Sequence, residues 1–531
     1  MTAQHPPAYA RHPSPEGTQA GASKSPLLRG GPEGRGVWLG LLIYYLTLTA
    51  AWTQESAPAG PASPTPDPIE GRWTGTITAP QGDVAEFGLD FFRTQKGALI
   101  FRMHFPAMFT YNATIGIPVE ADGQGNYAVA EAFAIRLHRE GDRLTGTFGA
   151  GLLPLALKRG GKFSEKPAAP AYPPAPAPLW SYPLGAGTWA PPVVAGDVVY
   201  VGTSDGKFHA VNAADGSSRW IWPGRGLAID GGAVVEADQV WFLDTHFNLV
   251  ALNRADGALR WSVPLHDERT AGQPAPDNPT FNHRVATPLL RDGVLYAGSN
   301  DGGVYAVSAA NGNILWRHEA GAPVYSGVGV LGRDTLMFGT MDGSVVLLDR
   351  RSRRETLRVR TGGGVVTTPV VAGDKLVVGS RDFLLHGFNL TDGTVAWKFS
   401  YWFSWIESTP VLRDGLLYVG GSDYARVVAL DPATGRARWV TPVHGLDWGS
   451  PLVTADRVFI GTASQNIGGT LIAHQGGLVA MDRRTGQVLW QLVSPPGPRD
   501  GFGGYAGSLA QAGDKVIAAG FDGMLHAFPV K

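Results

Sequence analysis

Pro192–Trp220 reads PVVAGDVVYVGTSDGKFHAVNAADGSSRW, and Pro288–Trp316 reads PLLRDGVLYAGSNDGGVYAVSAANGNILW. Both stretches follow one plan: three short apolar runs punctuated by Gly and Asp, then a closing Trp. Such runs bounded by turn residues are strands, and Asp-Gly pairs supply the left-handed backbone and side-chain acceptors of tight hairpins. The plan returns at Pro369–Trp397, Pro410–Trp439 and Pro451–Trp490, with closing Trp residues at 180, 220, 261, 316, 397, 439 and 490. The long step from Trp316 to Trp397 holds two units, with Arg358 at the degenerate Trp position. Tyr505–Lys531 carries three strands and stops, while Trp180 follows no such strands and would supply the missing fourth. Eight four-stranded units of about 44 residues predict a β-propeller whose chain ends share one blade. Closure of that kind removes exposed strand edges.

Composition narrows the chemistry. The chain of 531 residues has 72 Gly and 40 Pro, 17% charged residues and a net charge of −1. That balance suits a turn-rich β protein and offers no field to draw nucleic acid. No Cys is present, which excludes disulfides, thiolate metal sites, Cys nucleophiles and a lipidated N-terminal Cys. The spaced Trp residues are assigned to docking each outer strand on its neighbouring blade.

Outward from the repeats, residues 161–178 form a Pro/Ala linker (KPAAPAYPPAPAP at Lys166–Pro178), and residues 69–160 a small domain. In it Leu99, Phe101, Met103 and Phe105 alternate with Arg102 and His104 at period two, the pattern of half-buried strands. The expectation is a small antiparallel β-sandwich or barrel. Residues 56–68 (SAPAGPASPTPDP at Ser56–Pro68) are a Pro-rich spacer and 1–35 a disordered extension. Residues 36–55 carry the apolar run VWLGLLIYYLTLTAA at Val37–Ala51 behind Arg29 and Arg35. Two readings stand: a cleaved signal, with Thr49 and Ala51 at the −3 and −1 positions, or an anchor associating with the membrane through residues 37–52. Either places the rest in the periplasm or outside the cell.

Candidate binding residues follow from strand parity. Turns between second and third strands share a face with the blade-to-blade connections, and two insertions, Leu265–Arg284 and Ser464–Gly476, project there. Long loops on a rigid scaffold are where binding sits. At or before the starts of the inner strands lie Trp189, Asp230, Arg284, Tyr325, Trp405, Glu407, Asp447, Trp448 and Tyr505, with His266 and His283 flanking the first insertion. Aromatics interleaved with both charge signs suit a ligand pocket or peptide-binding funnel, the alternative being a wet polar channel mouth. No metal is assigned, because the His residues lack ligand spacing. The aromatic run Tyr401–Trp405 (YWFSW) reads as a partner patch, the alternative being local packing. Arg350–Arg360 (RRSRRETLRVR) reads as a solvated turn, the alternative being contact with anionic lipid or an acidic partner.

The copies of VYVGTSDGKFHAVNAADGSSRW resemble the pyrroloquinoline-quinone (PQQ) propeller repeat over roughly Pro178–Lys531. GRWTGTI and DRLTGTF…LPLALKRG in the small domain resemble lipocalin-like domains found ahead of some secreted hydrolases. The fold expected is therefore all-β, an eight-bladed propeller of PQQ-like repeats behind a small β-sandwich or barrel. The repeat serves both quinoprotein dehydrogenases and non-catalytic envelope scaffolds of the BamB type. The first reading implies PQQ in the channel stacked on a Trp, with calcium held by Glu, Asn and Asp and an Asp base. Trp405 would be the floor, and Glu407 or Asp447 ligand or base. The vicinal Cys pair common in that class is absent. The expectation placed first is an exported, monomeric, non-catalytic scaffold without a cofactor, holding a protein or peptide partner; the PQQ- and calcium-dependent dehydrogenase is the alternative.

Overall fold

The computed structural model describes residues 67–129, 134–149, 151–168, 170–266, 286–443, 445–465, 476–495 and 501–531. The signal or anchor segment, the first extension and spacer, and most of the two insertions lie outside them, as do Arg284 and His283. Among the described residues no helix is long and apolar enough to cross a membrane.

The small domain is one nine-stranded antiparallel sheet: β1 (Gly71–Thr78), β2 (Val84–Arg93), β3 (Leu99–Phe105), β4 (Thr110–Ile115), β5 (Glu120–Ala121), β6 (Asn126–Val129), β7 (Ile135–Glu140), β8 (Arg143–Phe148) and β9 (Leu153–Arg159). Strands β1 and β9 pair at its centre, in the order β4-β3-β2-β1-β9-β8-β7-β6-β5. The sheet curls round one core that includes Trp73, Phe87, Leu89, Phe101 and Phe148, so it is the barrel-like alternative, not two stacked sheets. On β3 the alternation is incomplete, since His104 is also buried. Phe163 from the Pro/Ala segment stacks on its ring at 4.5 Å. Ser164 N–H donates to Glu86 Oε1 at 3.0 Å. Further on, Ala175 N–H donates to Gln491 O, and Gln491 N–H to Pro173 O. The linker is thus fastened at both ends.

Beyond it eight four-stranded blades follow. Seven are contiguous, at 193–222, 234–264, 289–319, 329–360, 370–400, 411–442 and 452–493. The eighth joins Ala510–Ala512, Lys515–Ala519 and Met524–Pro529 to Trp180–Pro183 from the start of the array, with Trp180 opposite Ala527. Second strands such as Val198–Gly202 are buried throughout, because blades cover both faces; that is why these runs are continuously apolar and do not alternate.

The closing Trp residues dock as the repeat suggested. Trp180, Trp220, Trp397 and Trp439 each donate Nε1–H to a carbonyl in the next blade's last hairpin: Ala213, Arg254, Pro432 and Arg483, at 2.8–3.2 Å. Each ring lies on a glycine there, Gly216, Gly257, Gly435 or Gly486, with φ between +68° and +75°. One assignment is corrected. In the fourth blade Leu357, not Arg358, pairs with the residue just before the register shift, where other blades place Trp316 or Trp397. Every contiguous blade has the same register shift, and Leu357 stands eight residues after Asp349 as Trp316 stands eight after Ser308, so only the missing Trp obscured the position.

Candidate functional site

Four residues before each inner strand the chain turns in toward the propeller axis. Trp189, Asp230, Tyr325 and Trp448 occupy that repeat position and line a central cavity of about 380 Å³. Its neck is set two residues later, where Thr287, Thr368, Thr409, Ser450 and Ser508 present hydroxyls. Glycine at 232 and 327 opens room for neighbouring threonines: a Cβ at Gly327 would meet Thr368 Oγ1 at 2.2 Å. Trp189, Tyr325 and Trp448 give the wall its aromatic surface, and Phe502 and Phe521 pack against Trp189 from behind. Trp189 lies 5.4 Å from Trp448, 5.0 Å from Phe502 and 4.8 Å from Phe521, centroid to centroid, and Trp448 Nε1–H donates to Ser422 Oγ at 2.7 Å. Phe502 and Phe521 were not singled out in the sequence; the face shared by second-to-third turns and blade connections was the available signal.

The other sequence candidates sit elsewhere. Glu407 shares the repeat position of Trp189 but accepts from Arg381, at 2.9 Å (Nε) and 2.7 Å (Nη2). That guanidinium covers the Trp405 ring at 4.4 Å. All three residues are at least nine-tenths buried. Asp447 is fully buried beside Trp448. Burial, with the Asp423 charge nearby, holds its carboxyl well above the usual carboxylate range. Burial and the Glu407 charge push Asp423 up to about 6. His266 is half-buried at the end of the second blade. Among the described residues no group of His, Asp or Glu could hold a metal ion.

The Tyr401–Trp405 run does meet a partner, but it is this chain's own small domain. Trp402 packs edge-on against Phe105 (5.5 Å) and Phe403 against Phe148 (4.8 Å). Ser400 N–H donates to Gln81 Oε1, and Arg426 to Ala107 O. The free-patch reading is therefore corrected: three turns at one end of the barrel cover it. The Arg350–Arg360 run is largely neutralised within the propeller. Arg350 pairs with Asp292 and Asp334, Arg351 with Asp334, Arg358 with Glu355 and Arg360 with Asp342. Ser164, His104 and Glu86 also converge, yet both partners face Nε2. A hydrolytic triad needs them on opposite ring nitrogens.

The residues proposed for PQQ and calcium do not fit that pair. Trp405 lies under Arg381 instead of facing the cavity, Glu407 is engaged by the same Arg, and Asp447 faces away into a packed slot. No step is derived through either group.

The profile of a protein family described as "Outer membrane protein assembly factor BamB" matches residues 174–313, 300–402 and 402–531. The chain belongs to this family. BamB of Shewanella oneidensis is 26% identical over 264 residues, covering 46% of this chain and 61% of that protein. For BamB of Yersinia pestis the figures are 26% over 253 residues, 44% and 60%. The chain thus matches less than two thirds of these relatives' length. A 1-butanol dehydrogenase (quinone) of Thauera butanivorans is 30% identical over 155 residues, 26% of this chain and 23% of the enzyme. The crystal structure of BamB from Moraxella catarrhalis superposes with a TM-score of 0.50 at 17% identity, covering 66% of this chain and 97% of that one. The computationally designed Ika8 protein gives 0.52 at 15%, covering 66% and 99%. These two likenesses speak for the fold alone. The matched profile starts at residue 174, so the small barrel lies outside the family match.

Proposed function

We propose that this chain is a non-catalytic propeller scaffold of the cell envelope, holding a protein or peptide partner over the central cavity. The observation that carries this reading is the cavity wall. It offers aromatic surface at Trp189, Tyr325 and Trp448, backed by Phe502 and Phe521 packed against Trp189, with hydroxyls from Thr and Ser beside them, the mix of anchor pocket and polar rim that protein interfaces use. BamB-named relatives support an envelope location and a protein partner. No cofactor is assigned. The chain acts outside the cytoplasm, carried there by the segment at residues 36–55.

The test is a photo-crosslinking amino acid placed at Phe502, Phe521 or, as a control, Val395 on an outer strand. Adducts to a discrete envelope protein from the first two sites and none from the third are expected. Adducts from the control alone would overturn the reading. In parallel, PQQ with calcium added to the purified protein should leave Trp fluorescence and dye-linked alcohol oxidation unchanged; saturable quenching with turnover would establish the dehydrogenase instead.

A further inference from the structure

The repeat provides its own comparison for Asp447. Five residues before the inner strand, the described connections place Thr188, Ile229, Val324, Val365, Ile406, Asp447 and Tyr505, and from Ile229 onward these residues pack against a glycine at the end of the preceding blade's second strand. A Cβ at Gly202, Gly298, Gly339 or Gly379 would strike Ile229, Val324, Val365 or Ile406 at 2.1–2.5 Å. At Gly420 the neighbours are Asp447 O at 2.7 Å, Ile460 Cδ1 at 3.0 Å and Asp447 Oδ2 at 3.2 Å. A carboxyl group therefore fills an aliphatic slot. It is fully buried, and neither oxygen has an aligned hydrogen-bond donor. The Gly421, Asp447 and Arg426 amides come near, but none reaches the geometry of a bond.

The surroundings are acidic. Asp423 and Tyr401 face Asp447 directly; Glu407 lies behind Asp423, with Arg381 on Glu407 and Arg426 against Tyr424. Arg381 is thus committed to Glu407, and Arg426 to Ala107 O and the Tyr424 ring. A charged Asp447 without a donor is far costlier to bury than a neutral one. Asp447 is also joined by one peptide bond to Trp448, whose indole stands on Ser422 next to Asp423. Anything that drives Asp447 from its slot moves the aromatic wall of the cavity.

We propose that Asp447 is a proton-operated latch: neutral, it seats Trp448 and closes the aromatic wall, and ionised, it leaves the slot and releases that wall. This places pH regulation on the docking cavity and rests on that reading for its consequence only, because the latch itself is read without a partner. The elevated Asp447 and Asp423 values agree with it. A carboxyl held up in the folded state is seated below its unfolded value near 4 and lost as pH rises through the folded one.

Hydrogen exchange, corrected for intrinsic rate, tests this on the full chain between pH 5 and pH 9. Protection of residues 445–450 and 420–424 should fall at least tenfold as pH rises. In Asp447→Val, the residue type of the sister blades, and in Asp447→Asn, a neutral isostere, protection should stay level and exceed the native value at pH 9. A flat native profile, or the same fall in both variants, overturns the latch. The crosslinking experiment stands or falls separately.

Discussion

At the seam where the eighth blade meets the first, the Tyr182 hydroxyl and His209 Nδ1 lie 3.2 Å apart. His209 is buried, and burial holds its imidazole down to about 4. The unfolded chain takes up that proton near 6.5, so its stabilisation is full above that value and is lost as pH falls toward 4. At roughly 1.4 kcal/mol per pH unit the loss is roughly 3 kcal/mol. Urea unfolding at pH 7.5 and 4.5 should show native protein losing that much more than His209→Gln; equal losses would remove His209 as the cause. Single residues were also where sequence reading was weakest. Asp447 was singled out as a ligand or base from its place before a strand. Its actual environment, a slot that four sister connections fill with Ile or Val, emerges only when the described copies are aligned in space. Leu357 shows a related limit, because without a Trp to mark the docking position only the shared register with the other blades separates it from Arg358.

Among elements, the docking of outer strands on neighbouring hairpins was legible, since one Trp per unit at a fixed offset needs a common job. What periodicity does not show is the receiving glycine. Gly435 has φ +68°, and a Cβ there would come within 2.5 Å of the Trp397 ring; Gly373, with φ +64°, has nothing within 4 Å. Both substitutions to Ala carry the left-handed penalty of about 1–2 kcal/mol. Only Gly435→Ala also displaces a docked indole, and Trp397→Ala should cost about 3–5 kcal/mol, as for other buried aromatics. The midpoint of thermal unfolding should therefore fall in the order Gly373→Ala, Gly435→Ala, Trp397→Ala. If the two glycine variants unfold together, the ring is not tightly seated.

For the whole molecule, the closed ring was readable because Trp180 lacked strands of its own and the last unit lacked a fourth. The docking of barrel on propeller was not. It joins Gln81 to Ser400 and Ala107 to Arg426, each pair 319 positions apart, and no local pattern reports such contacts. Backbone conformation is consistent with it. Phe383 (φ 71°) is left-handed at a second-to-third turn where other blades use Gly206, Gly302 and Gly343 or, in the second blade, Phe247 (φ 58°) packed on Tyr325; Trp402 (φ 55°) is left-handed in a blade connection where others use Gly224 and Gly321. Large aromatics held in that conformation mark sites where surrounding contacts over-determine the backbone. Here those contacts are Phe105, Phe148 and, between themselves, Phe383 with Phe403 at 4.6 Å. Replacing the surface by Trp402→Gly with Phe403→Ser relieves one strained residue and removes both anchors. The propeller should therefore stay folded, with its unfolding midpoint little changed, while the barrel is released onto the linker. X-ray scattering should then show a larger radius of gyration, and limited proteolysis should cut between residues 164 and 173, where native protein resists. If the double variant scatters like the native chain, the fastening of the linker at Phe163 and Gln491 is enough to hold the barrel, and the aromatic platform has some other purpose.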